Sequence, residues 1–177
     1  MASTVEIIET LQRRFPDVDF RPAPLVQRGE QAGGQWFVRV PPGRLIDVMT
    51  FLRDDPACRF DQLCDLTCVD YLNFPDADDR YGVNYSLLSI PLNHRLWVKC
   101  FANDPQPTVP SVTSVWPGAE WLEREVFDMF GVRFEGHPDL RRILTWDGFQ
   151  AFPLRKDYPL RGRGEREDYP IISRDSA

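Results

Sequence analysis

Residues 132–177 keep large apolar side chains but have no regular spacing between them. Neither the 3.6-residue period of a helix nor the two-residue period of a strand is present, and prolines interrupt the segment. Ordering such a stretch costs about 1–2 kcal/mol of backbone entropy per residue, which must be recovered by lying on another surface. The segment is therefore predicted to form an extended arm that either wraps its own domain or clamps a partner.

Residues 1–131 have the periodic patterns that the arm lacks. Helices are predicted over 3–15, 42–52 and 117–131, where apolar residues recur three and four positions apart. Strands are predicted over 35–40, 60–72, 81–90 and 95–101, the last two forming a hairpin. We expect an α+β domain over 1–131 with two layers, helices packed on a mixed or antiparallel sheet, followed by the arm over 132–177.

Charge divides the chain in the same way. Residues 1–130 hold 12 basic and 19 acidic side chains (12 − 19 = −7), whereas residues 131–177 hold 9 and 8 (9 − 8 = +1). The total of −6 argues against a general nucleic-acid binder. Of the 21 basic residues only Lys99 and Lys156 are lysine, so 19 are arginine. Either a codon bias of the genome or selection for bidentate and interface contacts, which arginine suits, explains this excess. In the second case Arg141, Arg142 and Arg155 are the predicted recognition residues.

Glu120, Arg124 and Asp128 recur four residues apart on the third predicted helix, with the arginine between two acids. Such a ladder is normally a solvent-exposed face, and each pair contributes about 0.3–0.5 kcal/mol. We therefore expect this ridge to face water unless another surface covers it. Glu123 and Glu125 splay about 200° apart on a helix, which disfavours an acid–base pair.

Two functional classes fit the polar side chains around Gly131. One is a free-standing enzyme that uses Glu123, Asp128 and His137. His137 has no third candidate metal ligand beyond Asp139, and a structural histidine held by a turn is favoured. The sequence has no phosphate-binding glycine loop, nucleophile elbow or zinc-protease motif. The other class, a structural protein that binds a partner, is favoured because aromatic anchors alternate with arginines in the arm.

The sequence also indicates a reducing compartment. No apolar run approaches the roughly 18–20 residues of a membrane span, and the N-terminus has no secretory signal. Cys58, Cys64, Cys68 and Cys100 lack the usual metal-binding spacings and are predicted to be buried free thiols. On a regular strand Cys64 and Cys68 would lie on one face.

Several segments together resemble the C-type subunit of the proton-pumping NADH–quinone oxidoreductase, respiratory complex I. The longest are EREVFDMFGV at 123–132, FEGHPDLRRIL at 134–144 and PLRKDYPL at 153–160. Shorter similar segments are DLT at 65–67, VDY at 69–71 and NHRLWVK at 93–99. The resemblance extends over residues 35–160.

The resemblance implies a non-catalytic core subunit of the peripheral arm, on the cytoplasmic side of the cell's inner membrane. It would dock on and stabilise the D-type subunit, which carries the quinone site, near other peripheral-arm subunits such as those of the B and I types. FMN, iron–sulfur clusters, NADH and quinone would bind neighbouring subunits and none of them this chain. The alternative is the equivalent subunit of an ion-pumping membrane-bound hydrogenase or of a ferredoxin- or plastoquinone-linked complex.

The similar motifs contain the residues expected to form the partner interface. These residues are Glu123, Arg124, Asp128, His137, Arg141, Arg142, Phe152, Leu154, Arg155, Lys156, Asp157 and Tyr158. Arg141, Arg142, Arg155 and Lys156 are expected to pair with acids of the partner, and Phe152, Leu154 and Tyr158 to fill its apolar pockets. No catalytic, cofactor-binding or metal-binding residue is expected in the chain.

Overall fold

A computed structural model of the chain describes residues 4–27, 30–75 and 77–165. The first residues of the predicted domain and the last twelve of the predicted arm lie outside these ranges. The helices are α1 (Thr4–Arg14), α2 (Leu45–Asp54) and α3 (Ala119–Phe130), and a 3₁₀ turn over Pro42–Arg44 precedes α2. The strands are β1 (Ala23–Gln27), β2 (Glu30–Arg39), β3 (Gln62–Asp70), β4 (Tyr81–Ser89), β5 (His94–Ala102), β6 (Thr108–Pro110) and β7 (Arg133–Glu135). The predicted α+β architecture is confirmed.

The main sheet has five strands in the order β1-β2-β5-β4-β3. Only β2 and β5 pair in parallel, and the other neighbours are antiparallel, so the sheet is mixed as predicted. Strands β6 and β7 form a separate two-stranded parallel sheet. Because β7 lies beyond Gly131, the first residues of the predicted arm belong to a sheet. Three residues are too few for a period to be visible in the sequence.

One face of the main sheet carries the core. Along β5, Leu96, Val98 and Cys100 are buried, whereas Trp97 and Lys99 on the other face are half-buried. All three helices contribute buried apolar side chains to the same core cluster. The alternation on β5 follows the two-residue period of a strand with one covered face.

Two local features differ from the sequence prediction. Strand β1 was missed because Pro24 lies within it, and proline is tolerated there because β1 is an edge strand. The register of β3 against β4 shifts between Leu63 and Asp65. This irregularity leaves Cys64 exposed while Cys68 is buried. The prediction that both thiols share a face was therefore wrong, and of the four predicted buried thiols three are buried.

A membrane-spanning helix needs a minimum length and a sufficiently apolar character. Within the described residues, none of the helices is both long enough and apolar enough to cross a bilayer.

The core contains a tyrosine hydroxyl that has no hydrogen-bond partner among the described residues, that of Tyr85 on β4. An unsatisfied buried hydroxyl costs about 1–3 kcal/mol of desolvation. We expect Tyr85→Phe to raise the free energy of unfolding by about 1 kcal/mol in urea titrations. Tyr81→Phe is the matched control, since Tyr81 is also fully buried on β4 and its hydroxyl donates to Asp104. A loss of stability in Tyr85→Phe would show that this hydroxyl has a partner.

Candidate functional site

The carboxylate of Asp128 on α3 accepts hydrogen bonds from several groups of the arm. Its Oδ2 accepts hydrogen bonds from the N–H groups of Ile143, Leu144 and Thr145, at 3.0, 2.7 and 2.8 Å. Its Oδ1 accepts from the hydroxyl of Thr145 at 2.5 Å and from Nη1 of Arg142 at 2.6 Å. The side chain of Asp128 is completely buried. A single carboxylate therefore fixes five donors of the arm.

The charge on Asp128 is stable in this setting. Burial alone would raise the pKa of its carboxyl, but the hydrogen bonds from residues 143–145 outweigh that effect and hold the pKa at about 2. Asp128 is thus ionised at neutral pH and bonded to donors on each oxygen.

Arg124, one turn before Asp128 on α3, binds the same part of the arm. Its Nε and Nη2 donate to the carbonyl oxygens of Arg141 and Arg142, each at 3.1 Å. Arg142 in turn donates through Nη2 to the carbonyl of Ala151 at 3.1 Å. The prediction that the Glu120–Arg124–Asp128 ridge faces water was wrong for Arg124 and Asp128, which are buried. The ridge is covered because the arm supplies backbone donors and acceptors to it.

The C-terminal end of α3 is closed by a second part of the arm. Gly131 ends the helix with φ +75°, as predicted, and its N–H donates to the carbonyl of Phe127. The Arg155 Nε donates to the carbonyl of Phe130 at 2.6 Å, and the N–H of Leu154 donates to that of Met129 at 3.1 Å. These contacts satisfy helix carbonyls that have no partner within the helix.

Phe152 packs against this helix end as well. Its ring lies edge-on to that of Phe127 with 6.4 Å between centroids, and the Arg155 guanidinium lies 4.6 Å from the Phe152 centroid. An added Cβ on Gly131 would lie 2.6 Å from both Phe152 and Arg155. The close approach of the arm therefore requires glycine at this position.

A third contact ties the arm to the edge strand β3. The buried carboxylate of Asp70 accepts the N–H of Lys156 at 2.9 Å and pairs with Arg80 at 3.3 Å. Arg80 also pairs with Asp157 at 2.9 Å and with Asp104 at 2.5 Å. The hydrogen bond from Arg80 lowers the pKa of Asp157.

Sequence reasoning missed Asp70, Arg80, Asp104 and Thr145 as parts of this site. Asp70 lies in the VDY segment that resembles the family, which was the one available signal. The other three carry no motif, because their role depends on the arm returning to the domain.

Glu123 and His137 meet in a separate buried position on α3. The carboxylate of Glu123 accepts the hydroxyl of Ser111 and the N–H of Val112, both at 2.7 Å. His137 Nδ1 accepts the N–H of Asp139 at 3.0 Å, so Nε2 carries the proton and donates to the carbonyl of Glu120 at 3.0 Å. The histidine is held by a turn, as favoured from the sequence. His137 Nε2 also lies 4.0 Å from Glu123 Oε2.

Burial raises the pKa of Glu123 to about 7, and its two hydrogen bonds oppose the rise. Since the folded pKa lies above the ordinary value of 4.5, the protonated Glu123 side chain stabilises the folded state below pH 4.5. This contribution to the free energy of unfolding is lost as the pH rises through 7. We expect Glu123→Gln to lack this loss, so the stability difference between variant and wild type should shift by about 2–3 kcal/mol from pH 4.5 to 8 in the variant's favour. Denaturant titrations at both pH values measure this. A constant difference would contradict the raised pKa.

The predicted interface residues fall into two groups. Glu123, Arg124, Asp128, His137, Arg142, Phe152 and Arg155 have their contacts within the chain, and the side chain of Asp157 pairs with Arg80. Arg141, Leu154 and Lys156 point outward, Arg141 pairing with exposed Asp139 at 2.8 Å. Tyr158 packs on Phe149 with 6.1 Å between ring centroids. Of the two alternatives left open for the arm, residues 137–158 thus wrap their own domain.

The domain limit at residue 131 stays a prediction. Hydrogen bonds cross it from Asp128, Arg124 and Asp70 to residues 141–156. The free-standing enzyme hypothesis drew on Glu123, Asp128 and His137, and all three side chains are fully buried with their bonds made inside the chain.

The outward side of the arm exposes large apolar side chains beside its charged residues. We call the exposed side chains of Leu144, Trp146, Leu154 and Leu160 the arm surface. Leu160 is fully exposed, and Leu144 is 63% exposed. Leu144, Trp146 and Leu160 line one open pocket, and such grouped exposure of large apolar side chains is typical of a protein–protein contact.

Comparison with known proteins gives one consistent family. Residues 38–164 match the model described as respiratory-chain NADH dehydrogenase, 30 Kd subunit. The chain is 52% identical to the C subunit of the NADH-quinone oxidoreductase of Caulobacter vibrioides over 154 residues, 87% of this chain and 76% of that protein. It is 43% identical to the corresponding C subunit of Trichlorobacter lovleyi over 169 residues, 96% of this chain and 97% of that one.

Two solved structures have similar folds. The trypsin-resistant fragment (1-134) of Nqo5 matches with a TM-score of 0.63 and 32% identity, over 75% of this chain and 98% of the fragment. A chain of the membrane-bound sulfane sulfur reductase, an archaeal respiratory membrane complex, matches with a TM-score of 0.70 and 24% identity, over 98% of this chain and 95% of that one. The sequence matches and the fold agree, and the chain belongs to the family of the 30 kDa subunit of respiratory-chain NADH dehydrogenase.

Proposed function

We propose that the chain is a non-catalytic subunit of the peripheral arm of a proton-translocating NADH:quinone oxidoreductase. It docks on the D-type subunit, near those of the B and I types, on the cytoplasmic side of the inner membrane, and stabilises this partner, which carries the quinone site. NADH, FMN, iron–sulfur clusters and quinone bind the neighbouring subunits. Membership of the 30 kDa subunit family supports the complex, and the arm supports the docking role.

The observation that carries the docking role is the arm surface. The N–H of Leu144 donates to the Asp128 carboxylate, and the N–H of Leu154 donates to the carbonyl of Met129 on α3. These apolar side chains are therefore exposed on a backbone that is already held in place. Preorganisation of this kind reduces the entropy that binding costs. Exposed Arg141 and Lys156 supply the polar edge that such contacts have.

The buried residues of the family motifs have a different role in this proposal. Asp128, Arg142 and Arg155 position the arm, and the outward side chains touch the partner. The acidic and imidazole groups that an enzyme would use are occupied by hydrogen bonds within the chain. This occupancy favours a structural subunit over a free-standing enzyme.

Affinity purification of the tagged chain from its host tests the proposal. We expect the D-type subunit and other peripheral-arm subunits to co-elute, together with an NADH-oxidising module. Recovery of hydrogenase subunits without such a module would favour the alternative complex. The purified chain alone is expected to turn over neither NADH nor quinone, and turnover by the isolated chain would contradict the proposal.

A further inference from the structure

An open pocket of about 520 Å³ lies between the arm and the C-terminal part of α3. Met129 and Phe149, both buried, contribute to its lining. The rings of Trp146 and Phe149 meet edge-on with 4.8 Å between centroids. The wall near Thr145 is fixed by the bonds of that residue to Asp128. The lining is therefore aromatic, and it is held by the same contacts that hold the arm.

The rim of the pocket combines apolar side chains with a positive charge that has no partner among the described residues. Leu144 and Leu160 line the pocket and are exposed, Leu160 fully. Glu165, the acid at the rim, is already engaged by the hydroxyl of Tyr158 at 2.7 Å and the N–H of Arg163 at 2.6 Å. Arg161 also lines the pocket, and no described residue forms an ion pair or hydrogen bond with its guanidinium.

We propose that this pocket receives a large apolar side chain of the partner subunit, with a partner carboxylate next to it that pairs with Arg161. This inference rests on the proposed function and names the chemistry of its contact. An aromatic-lined pocket with an arginine at its edge is the arrangement in which a few residues carry most of a binding energy. The Arg161 cation selects an acidic neighbour by charge complementarity.

Photocrosslinking from position 160 tests the chemistry of the occupant. The photoreactive amino acid p-benzoylphenylalanine replaces Leu160 in the full chain, and the chain is illuminated within the complex in its host. We expect a crosslink to one segment of a partner subunit that has a large apolar residue within three positions of an Asp or Glu. A crosslink to this chain itself, to a second copy of it, or to a segment without an acid overturns the inference.

Matched substitutions test the energetic role of the pocket. Leu144→Glu and Arg161→Glu alter the rim, and Ile90→Glu and Arg95→Glu are controls on exposed residues of the β4–β5 hairpin. Ile90 is 63% exposed, the same as Leu144. We expect the share of tagged chain recovered with the partner subunits to fall at least tenfold for each rim variant and less than twofold for each control.

The outcomes separate this inference from the proposed function. If the wild-type chain recovers no peripheral-arm subunit, the proposed function is wrong and the pocket loses its partner. If the wild type recovers them and the rim variants do so equally well, the inference about the pocket is overturned while the proposed function stands. Because all four substituted side chains are exposed, unchanged thermal unfolding midpoints confirm that the variants are folded.

Discussion

Replacing Asp128 with asparagine is expected to lower the free energy of unfolding by about 3–5 kcal/mol. An amide cannot reproduce the contacts of the carboxylate, because one of its two ends is a donor and both carboxylate oxygens accept hydrogen bonds. The new NH₂ group then faces either the backbone N–H groups of residues 143–145 or the side-chain donors of Arg142 and Thr145. Leaving Arg142 without its buried partner adds to the cost. Urea titration of the wild type and the variant measures the difference.

Asp139→Asn is the matched control. Asp139 lies in the same arm and pairs with Arg141 at 2.8 Å, but both side chains are largely exposed. An exposed pair of this kind contributes about 0–1 kcal/mol. Equal effects of the two substitutions would show that Asp128 does not hold the arm. We also expect the Asp128 variant to lose recovery of partner subunits, since its arm surface is no longer preorganised.

The same carboxylate predicts how the wild type responds to acid. Its folded pKa of about 2 lies below the ordinary value of 3.8, so its stabilisation is complete above pH 3.8 and is lost as the pH falls through 2. Unfolding titrations between pH 5 and 2 should show a stability loss in the wild type that is smaller in Asp128→Asn. Parallel curves for the two proteins would contradict this assignment.

The sequence was sufficient for the parts of the fold that repeat. The stripe of α2 and the strand β5 follow from spacing alone, because each of these elements has one buried face. The end of α3 at Gly131 follows from the conformational freedom of glycine. Strand β1 was not predicted, because a proline argues against a strand at every position except an edge. Whether a strand lies at an edge depends on the whole sheet and cannot be read from the local sequence.

The candidate site could be predicted only in part, for a physical reason. The motifs around Asp128 and Arg142 indicated recognition, but the same side chains can bind a partner or the chain itself. Their choice depends on whether the arm returns to α3, and Asp70 and Arg80 also bind the returning arm, through Lys156 and Asp157. The expected energetic contribution of the Glu120–Arg124–Asp128 ridge was too small for the same reason. Backbone groups of the arm cover Arg124 and Asp128, so that these side chains form a buried hydrogen-bond network and not a weak exposed ladder.

Gly131→Ala is the second substitution expected to have a large effect. The residue has φ +75°, where a Cβ costs about 1–2 kcal/mol. The new methyl would also lie 2.6 Å from the Phe152 ring and from the Arg155 guanidinium. Forcing that contact apart adds about 1–3 kcal/mol, as in an overpacked core. We expect a total loss of about 2–5 kcal/mol in the free energy of unfolding, measured by urea titration.

Gly136→Ala separates the two contributions. Gly136 has φ +82°, but an added Cβ there meets no atom within 4 Å, so only the backbone cost of about 1–2 kcal/mol applies. In the Phe152→Ala background the cost of Gly131→Ala should fall towards that of Gly136→Ala, because the ring that blocks the methyl is gone. If Gly131→Ala costs no more than Gly136→Ala in the wild-type background, the arm does not pack on the end of α3. Residues 132–177 would then be available to a partner as the independent arm that their lack of a period first indicated.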